Sequence, residues 1–108
     1  MTDCIQVFTT TPAKEDAQKI ARALVEKRLA ACVQVLGPIT STYRWKGKIE
    51  TSEEWLCLIK SRRELFDRLE AAICEIHPYE VPEILAVPVD QAGQSYLDWL
   101  LGELRKEK

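Results

Sequence analysis

Residues 31–62 hold the feature that most limits what this chain can become: two long β-prone runs that double back at Trp45-Lys46-Gly47-Lys48. A glycine-bearing turn between runs rich in Val, Ile, Thr, Tyr and Trp is the local signal for a hairpin. Val33, Val35, Ile39 and Tyr43 furnish the first arm; Ile49, Thr51, Trp55, Cys57 and Ile59 furnish the second. Gly37-Pro38 interrupts the first arm. Proline has no N–H to give a ladder, so a bulge or a change of pairing partner is expected there. Each arm of about 13 residues reaches roughly 40 Å at about 3.3 Å per residue. A compact chain of this length has a radius of gyration of only about 13 Å. The hairpin therefore overhangs its own domain. An overhanging β arm bearing Tyr43, Trp45 and Trp55 is an aggregation hazard unless something pairs with it. A second copy of the same chain is the economical partner, so a homo-oligomer is expected on this ground alone.

The 108 residues allow one domain, residues 1–108, with a modest core. A net charge of −2 supplies no basic field for nucleic acid. No apolar run approaches the roughly 20 residues needed to cross a bilayer, so no membrane partner is expected. The opening MTDCIQV places an acid where a secretory signal needs basic residues and an apolar run, which points to a cytoplasmic protein. Cys4, Cys32, Cys57 and Cys74 show no C-x-x-C spacing and no paired histidine, which removes zinc-knuckle and redox motifs. Without a secretory signal they read as reduced, small core residues.

Along the chain, residues 4–10 alternate and are β-rich, a first strand. Thr11-Pro12 opens a helix, with Thr11 as N-cap and Pro12 at the first helical position. Ala13, Ala17, Ile20, Ala21, Leu24 and Val25 form its apolar stripe, and the helix is expected to run to about Leu29. After the hairpin, Ser61 and Glu64 have capping-box spacing for a second helix, which buries Leu65, Phe66, Leu69, Ile73 and Ile76. His77-Pro78 ends it, because the residue before a proline disfavours the α region. Residues 84–89 are a short strand that Pro88 confines to an edge or a bulge. A last helix turns Tyr96, Leu97, Leu100, Leu101 and Leu104 inward, and residues 105–108 read as a frayed end. The order is β-α-β-β-α-β plus a helix: an α+β, ferredoxin-like sandwich with a long protruding β-hairpin. Two helices cover one face of the sheet. The other face needs cover from the third helix or from a neighbour's hairpin.

Such an order hosts many functions, so the residues must choose among them. An RNA-recognition domain needs basic, aromatic stacking residues on the third strand, where this chain reads Glu53-Glu54-Trp55-Leu56-Cys57-Leu58. An acylphosphatase-like enzyme needs a cradle of backbone amides and an arginine after the first strand. Thr9-Thr10-Thr11-Pro12-Ala13-Lys14 has neither Gly nor Arg. No Ser-His-Asp or Cys-His set is legible, so no catalytic residue is assigned and no enzyme is expected.

Four separated motifs point elsewhere: Leu29-Ala30-Ala31-Cys32-Val33, Tyr43-Arg44-Trp45-Lys46-Gly47, His77-Pro78-Tyr79-Glu80-Val81-Pro82-Glu83 and Tyr96-Leu97-Asp98-Trp99. In order and spacing they resemble the motifs of the CutA family, the divalent-cation tolerance proteins, over nearly the whole chain. The resemblance implies a ferredoxin-like protomer in a tight homotrimer similar to that of the PII signalling proteins, with hairpins pairing between subunits. It also implies tolerance to divalent metal ions, Cu²⁺ among them, as the function.

On that reading the metal candidates are His77, whose imidazole suits copper or zinc, Glu83 six residues on, and Cys32 if the fold brings it near. Some family members carry a Cys at the end of the first strand, where this chain carries Thr9. A second candidate site is a pocket between subunits formed by Tyr43, Trp45, Tyr79 and Trp99, with Lys60 adding charge. Aromatics around a few polar groups suit a small-ligand cleft and a subunit interface alike. The alternative function is a PII-like trimeric signalling or scaffold protein that binds a small anionic metabolite or a partner protein.

Overall fold

The hairpin forms where its turn chemistry places it. A computed structural model describes residues 1–106. In it β2 (Cys32–Trp45) and β3 (Lys48–Arg62) pair antiparallel down to Trp45 opposite Lys48. The two turn residues, Lys46 and Gly47, have φ of 50° and 81°. Both angles are positive, as the tight hairpin turn that matches strand twist requires. Gly37-Pro38, joined by a cis bond, produces the expected bulge: the register steps from Leu36 opposite Leu56 to Ile39 opposite Glu54. A Cβ on Gly37 would stand 2.6 Å from Cε3 of Trp55, so only glycine lets the indole lie against this backbone.

Around the hairpin, β1 (Cys4–Thr11) pairs antiparallel with β3 on one side and with β4 (Leu85–Pro88) on the other. The four-stranded order is β2-β3-β1-β4, with Pro88 ending an edge strand as its missing N–H demands. Helices α1 (Lys14–Glu26) and α2 (Phe66–Ile76) cover one face. Strand alternation aims Ile5, Val7, Cys57 and Ile59 at that layer, where they meet Ala17, Ile20, Leu24, Leu69 and Ile73, all buried. The hairpin's far half has no such partner. The molecule measures 44 × 26 × 21 Å, with a radius of gyration of 14.4 Å. The overhang expected from arm length is there, and Ile49 near its tip is 69% exposed.

The opposite face of the sheet is built of three cross-strand rows: Val87-Gln6-Lys60-Cys32, then Leu85-Phe8-Leu58-Gln34, then Thr10-Leu56-Leu36. Helix α3 (Gln94–Glu103) reaches the first row, where Tyr96 meets Cys32. The apolar side chains beyond it lack cover: Leu36 is 55% and Leu85 59% exposed. No helix among the described residues is long and apolar enough to cross a membrane.

Several local expectations give way to tertiary contacts. Helix α1 starts at Lys14, not after Thr11, because Thr11 stays in the ladder and its hydroxyl donates to Ala13 O at 2.8 Å. It ends at Glu26, and Leu29 N–H and Ala30 N–H close it on Leu24 O at 3.0 and 3.2 Å. Arg28 takes the left-handed position at φ 58°, where glycine is usual. That costs about 1–2 kcal/mol, offset by what Arg28 ties down: Nη1 donates to Glu103 O at 3.0 Å, and Arg28 O accepts Arg105 N–H at 2.9 Å. Arg105 is thus strapped, not frayed. Glu107 and Lys108 lie outside the described residues.

The Ser61–Glu64 capping box is absent. Ser61 remains in β3, fully buried, and its hydroxyl donates to Leu29 O at 2.6 Å. A 3₁₀ turn, Arg63–Leu65, then leads into α2. Tyr96 is 44% exposed rather than inward. Of the cysteines, Cys4 and Cys57 are core residues, Cys32 is half-buried and Cys74 is exposed; all four are free.

Two outcomes follow from the core. Thr9 is fully buried and its Oγ1 has no hydrogen-bond partner among the described residues. Thr9→Val, which keeps the shape and removes the orphan hydroxyl, is expected to raise unfolding stability by about 1 kcal/mol, read as a higher urea midpoint at unchanged m. A fall in midpoint would mean the hydroxyl is satisfied. Burial pushes the Cys57 thiol up to about 11. A folded-state pKa above the unfolded value favours the folded state at low pH. This contribution is whole below about pH 9 and lost as pH rises through about 11. At pH 8 a thiol reagent should label Cys74 at once and Cys57 only on unfolding.

Candidate functional site

The same face that leaves apolar side chains open also carries a cleft. Beyond the bulge, alternation keeps Ser41, Tyr43 and Trp45 of β2 and Glu50 and Glu54 of β3 on this side. The loop from His77 to Ile84, stiffened by Pro78 and Pro82, folds over the strands and supplies Tyr79, Glu80, Val81 and Glu83. Between hairpin and loop lies a cleft of about 700 Å³, with Thr10 at its inner end.

The loop is held at two points. His77 is buried; its Nδ1 accepts the Tyr79 N–H at 3.0 Å, and its Nε2 lies 2.8 Å from Thr10 O. Because Nδ1 accepts, Nε2 carries the hydrogen and donates it to the carbonyl. The imidazole is therefore a neutral clasp with both nitrogens engaged. The second point is Tyr79, whose hydroxyl donates to Glu54 Oε2 at 2.7 Å. Burial first, and then that bond and the carboxylate charge, push the Tyr79 phenol well above its ordinary range, so it remains a donor. Glu54 itself is 6% exposed and has no ion-pair partner among the described residues.

The residues singled out by sequence divide into groups. Tyr43, Trp45, Tyr79 and Glu83 line the cleft together, and His77 stands behind its wall. Cys32 does not join them. It sits two rows from Thr10, about 13 Å along the strands. Lys60 faces that distant row, where its ammonium donates to Gln34 Oε1, and Trp99 packs with Tyr96 on α3 at 5.5 Å between ring centroids. Among the described residues no three His, Cys, Asp or Glu side chains converge closely enough to hold a metal ion.

Glu50, Glu54 and Glu80 escaped the sequence reading. Glu53-Glu54 counted only as part of an acidic third strand that does not suit RNA recognition. The signal that finds Glu54 is period two: counting back from Leu58 and Leu56 puts a carboxylate on an apolar face, a position that calls for a partner. Among the described residues the cleft's lining has four carboxylates and no basic side chain, a field that repels anions and draws cations.

Comparison with known proteins agrees with the motifs. The model of the family described as CutA1 divalent ion tolerance protein matches residues 5–103. The divalent-cation tolerance protein CutA of Thermus thermophilus is 46% identical over 94 residues, 87% of this chain and 91% of that protein. Protein CutA of Homo sapiens is 50% identical over 93 residues, 86% of this chain and 52% of its own length, so this chain spans about half of that relative. Among solved structures, CutA from Xylella fastidiosa superposes with a TM-score of 0.93 at 41% identity, covering 96% of this chain and all of that one.

The Tyr79–Glu54 bond is open to direct measurement. Tyr79→Phe leaves a buried carboxylate without its donor and is expected to lower stability by about 2 kcal/mol. Glu54→Gln keeps an acceptor for the phenol and should cost less. Urea unfolding at one fixed protein concentration reads both; equal losses would place the cost in packing rather than in the stranded charge.

Proposed function

The chain belongs to the CutA1 divalent ion tolerance family, and we propose that it serves that role as a cytoplasmic homotrimer that binds divalent cations, Cu²⁺ among them, without catalysing a reaction. The observation that carries the reading is Glu54, a carboxylate almost removed from water, at the base of an acidic cleft, with no ion-pair partner among the described residues. The Tyr79 hydroxyl gives Glu54 a hydrogen bond but no opposite charge, and a bound cation would supply one. The open apolar rows beside the cleft and the overhanging hairpin support assembly through this face. The count of three is carried from the family's PII-like arrangement. Four free cysteines suit a reducing compartment.

The donor set fits a divalent ion in part. Carboxylate oxygens suit Mg²⁺, Mn²⁺ and Zn²⁺, and Cu²⁺ leads the affinity order at a given oxygen or nitrogen site. Glu83, exposed at the rim, is free to swing toward an ion. His77 joins only by giving up its bonds to Thr10 and Tyr79, and Cys32 only from a neighbouring copy. Ligands shared between copies are therefore part of the proposal. An anionic metabolite finds no basic group in the lining among the described residues, so the cation reading is preferred to that alternative.

Titration of the metal-free protein with Cu²⁺ and then Zn²⁺, against a weak competing chelator, should give saturable binding at a simple ratio per chain. Glu83→Gln should weaken it about tenfold; heat that never saturates overturns the reading. His77→Ala with unchanged assembly tests the imidazole: unchanged copper affinity rules His77 out as a ligand, whereas a loss shows that copper needs either the imidazole itself or the loop it holds. Light scattering in dilute solution should give the mass of three chains of 12.4 kDa each, and a single-chain mass would sink the assembly.

A further inference from the structure

The cleft is larger and differently lined than a bare ion requires. Its volume of about 700 Å³ is that of a small organic molecule's site rather than of an ion's coordination shell. Its carboxylates are spread along the walls: Glu50 and Glu54 on β3, Glu80 and Glu83 on the loop. No three of them converge on one point among the described residues. Between them stand Tyr43, Trp45, Tyr79 and Val81, apolar and aromatic surfaces that water solvates poorly. Separated anions with apolar wall between them are the complement of a ligand that is itself a string of cations on an apolar thread.

We propose that the cleft binds a linear aliphatic polyamine, a diamine or triamine whose ammonium groups are spaced by short methylene chains. One ammonium meets Glu54, supplying the positive charge that no ion pair among the described residues gives this buried carboxylate. A second reaches Glu83 or Glu80 on the loop. The methylenes between them lie along the aromatic rings, and the rings' faces add cation–π attraction. The chain itself displays this chemistry on one of the lining rings: the alkylammonium of Lys46 stands 5.7 Å from the centroid of the Trp45 ring. An anion is repelled here, a neutral ligand brings Glu54 no charge beyond the Tyr79 hydroxyl's hydrogen bond, and a monoamine meets only one end. The inference rests on the reading of the cleft as a cation site and names a different cation for it.

The test uses the assembled, metal-free protein, titrated calorimetrically and by tryptophan fluorescence with spermidine, putrescine, butylamine and, separately, Cu²⁺. Spermidine should bind saturably at one per chain, at least about tenfold more tightly than butylamine, and its affinity should fall as salt rises. Glu50→Gln and Glu83→Gln, both at exposed positions that leave the fold intact, should each weaken spermidine several-fold. Copper that binds while spermidine does not overturns the polyamine and leaves the divalent-ion reading standing. Spermidine that binds while copper does not sustains the polyamine and overturns the other. Spermidine affinity equal to that of butylamine, or unchanged in both variants, means surface attraction alone and overturns the proposal. So does a cleft that assembly has closed, which shows as no response to any amine.

Discussion

Everything in this molecule is referred to the register of β3. Its fifteen residues make two different strands in one. From Trp55 to Arg62 it pairs with β1, and over Leu56–Lys60 also with β2, which makes it the centre of the domain. From Lys48 to Glu54 it has β2 alone. The change falls at the bulge, where Gly37 admits the Trp55 indole and the pairing slips past Pro38. Because side chains alternate with period two, this register decides at once which face is core and which is open. Cys57 and Ile59 go to the helices; Leu58 and Leu56 go to the open face, and Glu54 and Glu50 continue that row into the overhang. A slip of one residue would drive Glu54 into the helix layer and bring Ile59 to the surface.

Much of this was legible in the chain. The hairpin, its turn at Lys46-Gly47, the bulge at Gly37-Pro38 and the edge position of Pro88 all rest on backbone chemistry that a glycine or a proline imposes locally. The helical stripes were readable for the same reason: Ile20, Leu24, Leu69 and Ile73 recur at the spacing of one helix face and are buried. The cap positions were not. Thr11 and Ser61 have the right chemistry for helix N-caps, but a β-ladder claimed both, and their hydroxyls serve Ala13 O and Leu29 O. Local propensity lost to long-range pairing, which a sequence window does not contain. Arg28 shows the same in reverse, a residue in a glycine's conformation held there by Glu103 and Arg105 from the far end of the chain.

The candidate site was half legible. Its aromatic part, Tyr43, Trp45 and Tyr79, stood out because large rings beside turns and prolines are conspicuous. Its acidic part did not, since a glutamate on a strand ordinarily reads as solvated surface. Glu54 is decided by the loop that folds over it, and that loop is positioned by a histidine whose conspicuous chemistry suggested a metal ligand. In the fold the imidazole spends both nitrogens on backbone, one on Thr10 O and one on the Tyr79 N–H. The clasp sets the loop, the loop sets Tyr79, and Tyr79 sets Glu54. Spacing along the chain shows none of these steps, because each crosses from one element to another.

In the proposed trimer, assembly and cation binding would share one face, and that would couple them. The apolar rows from Phe8 to Leu58 and the carboxylates of the cleft lie side by side on the same surface of the sheet. Covering the rows with another copy removes water from the cleft's edge. A charge pair in that drier setting attracts more strongly than the same pair in open solvent. The same drying raises the cost of leaving Glu54 without a cation. In the proposed trimer, each copy therefore makes its neighbour's acidic cleft a better cation site, and a bound cation lowers the cost of bringing the copies together. By linkage the two effects are equal in free energy, because whatever binds the assembled form more tightly than the separated chains must favour assembly to the same extent.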